Sequence, residues 1–139
     1  MEKVKDCIFC KIVAGEIPSY KVYENKDILA FFTIGPVSEY HTLVIPKKHY
    51  ENIYDLPVEE FKKIAEVIKK ITNHYQNKLN IKEVNILNAS GKNAQQSVPH
   101  FHVHIVPRKK DDGLNLWYET ENPLKPDFQR LLNKIGKIE

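Results

Sequence analysis

No stretch of this chain approaches the ~20 consecutive apolar residues that a membrane-spanning helix needs. The start, Met1-Glu2-Lys3-Val4-Lys5-Asp6, lacks the apolar run of a secretory leader. These two absences predict a cytoplasmic protein that does not engage membrane. Glycine is scarce, 5 in 139 residues, and nowhere forms the clustered loops with which Walker and dinucleotide-binding folds cradle phosphate. Cysteine is scarcer: the 2 present cannot staple a disulfide scaffold, and in a reducing compartment they are expected as thiols or metal ligands. No block of one charge occurs either. Lys plus Arg number 21 against 18 Asp plus Glu, and the lysines alternate with glutamates, which excludes a basic nucleic-acid stripe or membrane-surface helix. The resulting net charge of +3 still favours a small anionic ligand. Repeats and low-complexity tracts are absent.

What is present suits one domain: 42% hydrophobic and 28% charged residues over a length that buries a real core. Residues 11–16 predict a short helix ended by Gly15 and Pro18. Alternation over 20–24, a polar turn, and the apolar run 28–32 predict a hairpin, and 41–45 resume as strand up to Pro46. Pro57, Glu59 and Glu60 open a long helix whose core face is predicted from Phe61, Ile64, Ile68, Ile71, Tyr75 and Leu79. A strand at 84–88, a polar loop at 89–98, a strand at 100–106 and a helix at about 127–135 with Gly136 as its stop complete the order. The predicted class is α+β: an antiparallel sheet of about five strands, one long helix and a short C-terminal helix. Residues 1–139 form a single domain in this reading, with 109–139 as an extension packed on it.

Two motifs carry chemistry. His100-Phe101-His102-Val103-His104-Ile105-Val106 alternates three of the six histidines with apolar residues. Successive strand side chains point to opposite faces, so the imidazoles share one face about 7 Å apart while Phe101, Val103 and Ile105 face the core. That arrangement supplies several groups titrating near neutral pH to one ligand. The second motif is Cys7-Ile8-Phe9-Cys10, a spacing that suits half of a zinc site or a redox pair; nothing after Cys10 resembles the fold that the redox role needs. Amide and hydroxyl side chains in the 89–98 loop are placed to hydrogen-bond phosphate or a leaving group.

In these residues the sequence resembles the histidine triad (HIT) superfamily of nucleotide hydrolases and transferases, its Hint-like branch with a CxxC start. The carriers are the triad itself, Cys7-Ile8-Phe9-Cys10-Lys11-Ile12-Val13 with Gly15-Glu16-Ile17-Pro18, His41-Thr42-Leu43-Val44-Ile45-Pro46-Lys47-Lys48-His49, and Gln96-Ser97-Val98. The resemblance implies a HIT-like fold, a purine nucleotide substrate, no nucleic-acid partner and a homodimer. It implies that His102 attacks the α-phosphorus and carries the nucleotidyl group covalently, with His104 and His100 supporting it, Ser97 serving the leaving group, and His41 standing behind the triad. Substrate contacts carry over to Gln96, Asn88, Thr33 and Ile34. A structural zinc carries over to Cys7, Cys10, His49 and His100, with no organic cofactor.

The chain departs from the family pattern at four places. Thr33 stands where an Asp holds ribose, Ala89 where an Asn is usual with Asn88 one place earlier, and Tyr40 and Gln95 where glycines are usual. Three classes of function follow: a hydrolase of nucleoside phosphoramidates, adenylates or dinucleoside polyphosphates; a non-catalytic nucleotide- or partner-binding module; and a catalytic metal site built from the three histidines.

Overall fold

The computed structural model describes Val4 and residues 6–139; most of the segment read above for a leader lies outside these residues. Helix α1 (Ile8–Val13) precedes strands β1 (Lys21–Glu24), β2 (Ile28–Phe32) and β3 (Thr42–Pro46). Helix α2 (Val58–Leu79), β4 (Val84–Leu87), β5 (Val103–Pro107) and α3 (Phe128–Ile135) follow. The strands form one sheet in the order β1-β2-β3-β5-β4, and every neighbouring pair is antiparallel. The predicted class, strand number, long helix and C-terminal helix are those observed, whereas the first helix, expected over 11–16, starts at Ile8 because Cys7 caps it. Asn25 closes the predicted hairpin, its Oδ1 accepting from the N–H groups of Asp27 (2.9 Å) and Ile28 (2.8 Å).

Strand period assigns the two faces. Ile28, Ala30, Val44, Val103 and Ile105, with Phe101 just before β5, pack under α2 against Ile64, Val67, Ile71 and Tyr75. Leu29, Phe31, Leu43 and Ile45 point the other way and pack with Cys7, Phe9, Cys10 and Ile12 around α1. Both faces are covered, which explains why β2 and β3 read as nearly unbroken apolar runs. The α2 stripe is rotated slightly from its predicted face. Val67, not anticipated, is buried, whereas Phe61 and Leu79 lie 43% and 37% exposed at the rims. A sheet touches only the middle of a 22-residue helix's apolar stripe, so its flanking positions stay wet.

The extension from residue 109 meets the domain at its start. Its root is fastened: Arg108 donates to Asp112 (2.8 and 3.1 Å), to Asn85 Oδ1 (2.9 Å) and to the Leu114 carbonyl (2.7 Å). Beyond that root, α3 buries no residue, and Phe128, Leu132 and Ile135 are all exposed. Trp117 and Tyr118 stack on each other at 5.1 Å, both largely exposed.

Candidate active site and metal cluster

The strand predicted from His100 begins only at Val103. Residues 98–100 bend, and His100 and His102 precede the ladder. Pro99 lacks an N–H and disfavours a continuous run there. Backbone groups outside the sheet are held individually instead: His100 N–H by the Val98 carbonyl (2.8 Å) and Phe101 N–H by the Tyr50 carbonyl (2.6 Å). The alternation itself survives. The rings of His100 and His102 lie on the α1 side, each edge-on to Phe9 at 5.8 and 5.2 Å, and His102 and His104 are 5.1 Å apart. The imidazole face is therefore walled rather than open: His100 and His102 are only 0% and 3% exposed.

Around His100 the expected metal ligands converge. Its Nε2 lies 2.8 Å from the Pro46 carbonyl, which can only accept, so Nε2 carries the proton and the Nδ1 lone pair points inward. That Nδ1 is 3.3 Å from Cys7 Sγ, 3.6 Å from Cys10 Sγ and 3.2 Å from His49 Nδ1, and Cys10 Sγ is 3.4 Å from His49 Nδ1. A tetrahedral ion with bonds of ~2.3 Å to sulfur and ~2.0–2.1 Å to nitrogen requires donor separations of about 3.3–3.8 Å. The four donors all lie within 4.8 Å of one another and so fit such an ion. Burial pushes His100 down to about 4, keeping it a neutral ligand. Cys7 also caps α1, its Sγ accepting from Cys10 N–H at 3.3 Å. Among the described residues this is the one group of such donors brought together, and it takes up the ring of His100.

His102 has the opposite tautomer. Its Nδ1 lies 2.8 Å from the His100 carbonyl and must donate to it, leaving the lone pair on Nε2. That Nε2 makes no hydrogen bond among the described residues, and the ring around it is 3% exposed. Beside it a second proton chain runs from the backbone. Val37 N–H donates to His41 Nδ1 (3.2 Å), so His41 Nε2 carries a proton and donates to His104 Nδ1 (2.9 Å). Neutral His104 then presents Nε2–H as a donor. Burial lowers His41 and His102, and burial with the neighbouring His102 and His41 lowers His104 to about 4, so the set is neutral at pH 7.

The remaining predicted residues sit around these groups with differing availability. Ser97 is exposed, makes no hydrogen bond within the chain, and lines a cavity of about 480 Å³ with Ile8, His49, Glu51 and Val98. Gln96 is fully occupied: its Nε2 donates to the carbonyls of Glu51 (2.6 Å) and Val98 (3.0 Å), and its Oε1 accepts from Gly91 N–H (2.8 Å). Asn88 donates through Nδ2 to the His102 carbonyl at 2.9 Å. Thr33 Oγ1 accepts from Gly35 N–H (3.3 Å), and Ile34 is 93% exposed. Sequence reasoning missed Phe9 as the wall between two imidazoles, although the alternation and the CxxC spacing together place it there. It also missed the carbonyls of Pro46 and His100, which no residue type announces.

Two of the departures from the family pattern share a backbone explanation. Tyr40 and Gln95, standing where glycines are usual, both adopt left-handed conformations with φ of 64° and 67°. The fold keeps the turn and accepts a side chain there, at about 1–2 kcal/mol each. Thr42 Oγ1 steadies the first by donating to the Tyr40 carbonyl (2.7 Å), with Tyr75 Oη 2.7 Å behind it.

Comparison with known proteins agrees with this geometry. The model of the HIT domain matches residues 14–111. The chain is 43% identical to the Bacillus subtilis protein named Protein hit, over 99% of this chain and 97% of that one. It is 37% identical to a Candida albicans adenosine 5'-monophosphoramidase, over 95% and 86% of the two chains. Its fold superposes with a TM-score of 0.75 on a zinc-bound histidine triad family protein from Mycobacterium smegmatis, 36% identical over 84% of each chain. A HIT domain spanning most of the chain, the triad on one face and the cysteine–histidine cluster beside it make this chain a member of the histidine triad family.

Proposed function

We propose that this protein hydrolyses purine nucleoside phosphoramidates or related adenylates through a nucleotidyl-histidine intermediate on His102. One observation carries the reading. The His100 carbonyl holds the His102 proton on Nδ1, so a neutral Nε2 lone pair stands beside the His104 ring. Nε2 forms a bond to the α-phosphorus as the bond to the leaving group breaks, and the departing atom takes a proton from the Ser97 hydroxyl. Water then attacks phosphorus, the P–Nε2 bond breaks, and one proton of that water restores Ser97. His104 Nε2–H donates to the phosphate oxygens as charge builds on them, and His41 holds His104 in the donor tautomer. The phosphoramidase activity named for the Candida albicans relative supports the substrate class.

Zinc is the ion we assign to Cys7, Cys10, His49 and His100, supported by the donor set and by the zinc-bound relative. When bound it supplies structure, fixing His100 and the N-terminal helix. The state we infer is a cytoplasmic homodimer. β4 is an edge strand with Ile86 and Leu87 45% and 37% exposed, and α3 leaves its apolar side uncovered on its own chain. No helix of the described residues is long and apolar enough to cross a membrane.

A second reading, a nucleotide-binding module without turnover, draws support from Thr33 and from the saturated Gln96 amide. A hydrolase of dinucleoside polyphosphates would use the same His102 with a different leaving group. Trapping separates the readings. Incubation with adenosine phosphoramidate, quenching in mild base and peptide mass spectrometry should show a nucleotidyl adduct on the His102 peptide. Tight AMP binding with no adduct and no product across a panel of nucleotides would establish the binding module instead.

A further inference from the structure

We infer that Ser90 and Asn88 are positioning residues that hold the nucleophile's backbone where the sheet no longer reaches it. The β4–β5 ladder ends at the pair Leu87 and His104, so the His102 carbonyl lies two residues past the last strand pair. Asn88, the first residue after β4, supplies a partner with its side chain, donating Nδ2–H to the His102 carbonyl at 2.9 Å. An amide side chain rotates by half a turn unless its oxygen is also fixed. Ser90 fixes it: its Oγ–H donates to Asn88 Oδ1 at 2.9 Å and its Oγ accepts from Ile53 N–H at 3.0 Å.

The anchor of this relay is itself rigid. In the segment between β3 and α2, the Asp55 carboxylate accepts from Glu51 and Asn52 N–H groups, both at 2.9 Å. The neighbouring Tyr50 carbonyl takes Phe101 N–H at 2.6 Å. Direction is therefore imposed from Ile53 through Ser90 and Asn88 onto His102, whose Nδ1–H then meets the His100 carbonyl and leaves Nε2 its lone pair. In this arrangement Asn88 spends one amide hydrogen on the protein backbone. Ser90 touches no reacting atom and acts through Asn88.

This inference rests on His102 being the nucleophile, and its test keeps the two apart. Three variants divide the relay: Ser90→Ala removes the hydroxyl, Ser90→Thr restores it, and Asn88→Asp keeps the acceptor for Ser90 while deleting the donor to His102. A nucleophile misplaced by a fraction of an ångström loses rate more than binding, so Ser90→Ala and Asn88→Asp should lower kcat by ~10-fold or more. Ser90→Thr should stay within about 2-fold of the parent, and AMP affinity should change by less than about 3-fold throughout. In ¹⁵N spectra, the His102 Nδ1 proton should exchange faster with solvent in the two damaged variants and not in Ser90→Thr. Unchanged kcat and unchanged Nδ1 exchange in both would overturn the relay, as would equal losses in kcat and AMP affinity with no recovery in Ser90→Thr. A parent protein that forms no adduct overturns the hydrolase reading instead, and the Nδ1 exchange still decides the relay.

Discussion

His100 and His102 are the same residue type, two positions apart, on one side of one segment, yet the fold prepares them for opposite tasks. In His100 the Pro46 carbonyl takes the Nε2 proton and aims Nδ1 at two sulfurs; in His102 the His100 carbonyl takes the Nδ1 proton and leaves Nε2 free. A backbone acceptor, not the side chain, decides which nitrogen of each ring keeps its lone pair.

The comparison predicts unequal consequences of damage. His102→Ala should abolish turnover, by roughly 10⁴-fold or more, while bound metal stays near the parental value. Single-turnover kinetics and metal content measured on one preparation check this, and retained turnover would erase the distinction between the two rings. Chelation, or Cys7→Ser, should act the other way round. An ion present at ~1,000 times its dissociation constant contributes about 4 kcal/mol, so its loss should lower Tm by roughly 10 °C. A calorimetric scan with and without chelator gives the answer; an unmoved Tm would mean the cluster holds no structural ion.

Acid should sharpen the contrast without mutation. His104 is held at about 4 and His102 also below the ordinary 6.5, mainly by burial. Between about 4 and 6.5 the unfolded chain binds more protons than the folded one, so stability rises with pH across that window and is lost as pH falls through it. His104 alone should contribute a loss of about 1–2 kcal/mol on going from pH 7 to pH 5, visible in urea unfolding. Activity follows the same sign but reads the folded protein: kcat/KM should stay flat through about pH 6.5 and fall only at lower pH, as the buried imidazoles protonate. An acid limb centred above pH 7 would contradict the neutral assignment.

The smallest effect concerns the loops. Gln95→Gly should leave stability unchanged or raise it by up to about 1 kcal/mol, because the left-handed turn no longer carries a Cβ. Tyr40→Gly should lose stability despite the same φ, since the Tyr40 ring packs on Phe32 and Tyr75 at 6.1 and 5.9 Å. Paired urea titrations compare the two.

Much of this was legible in the sequence, for identifiable reasons. Period 2 around His102 and the run at 28–32 set the strands and the shared imidazole face, while the family resemblance, not the spacing alone, joined His49 and His100 to the CxxC pair. What stayed hidden depends on groups common to every residue or on chain-distant walls. The Pro46 carbonyl chooses a tautomer, Phe9 closes the imidazole face, Gln96 spends its amide on Glu51 and Val98, and a bend shortens the triad strand to Val103 onward. The exposed side of α3 was illegible for another reason: an amphipathic period states that a stripe will be covered, not which chain covers it.

His100 serves two masters, its ring belonging to the cysteine cluster and its peptide oxygen to His102. A library of single-residue insertions walked along the gene should therefore return survivors freely in surface stretches such as 118–127 and none between 98 and 104. There, adding one link rotates every later ring to the opposite side, and metal and reactivity vanish together.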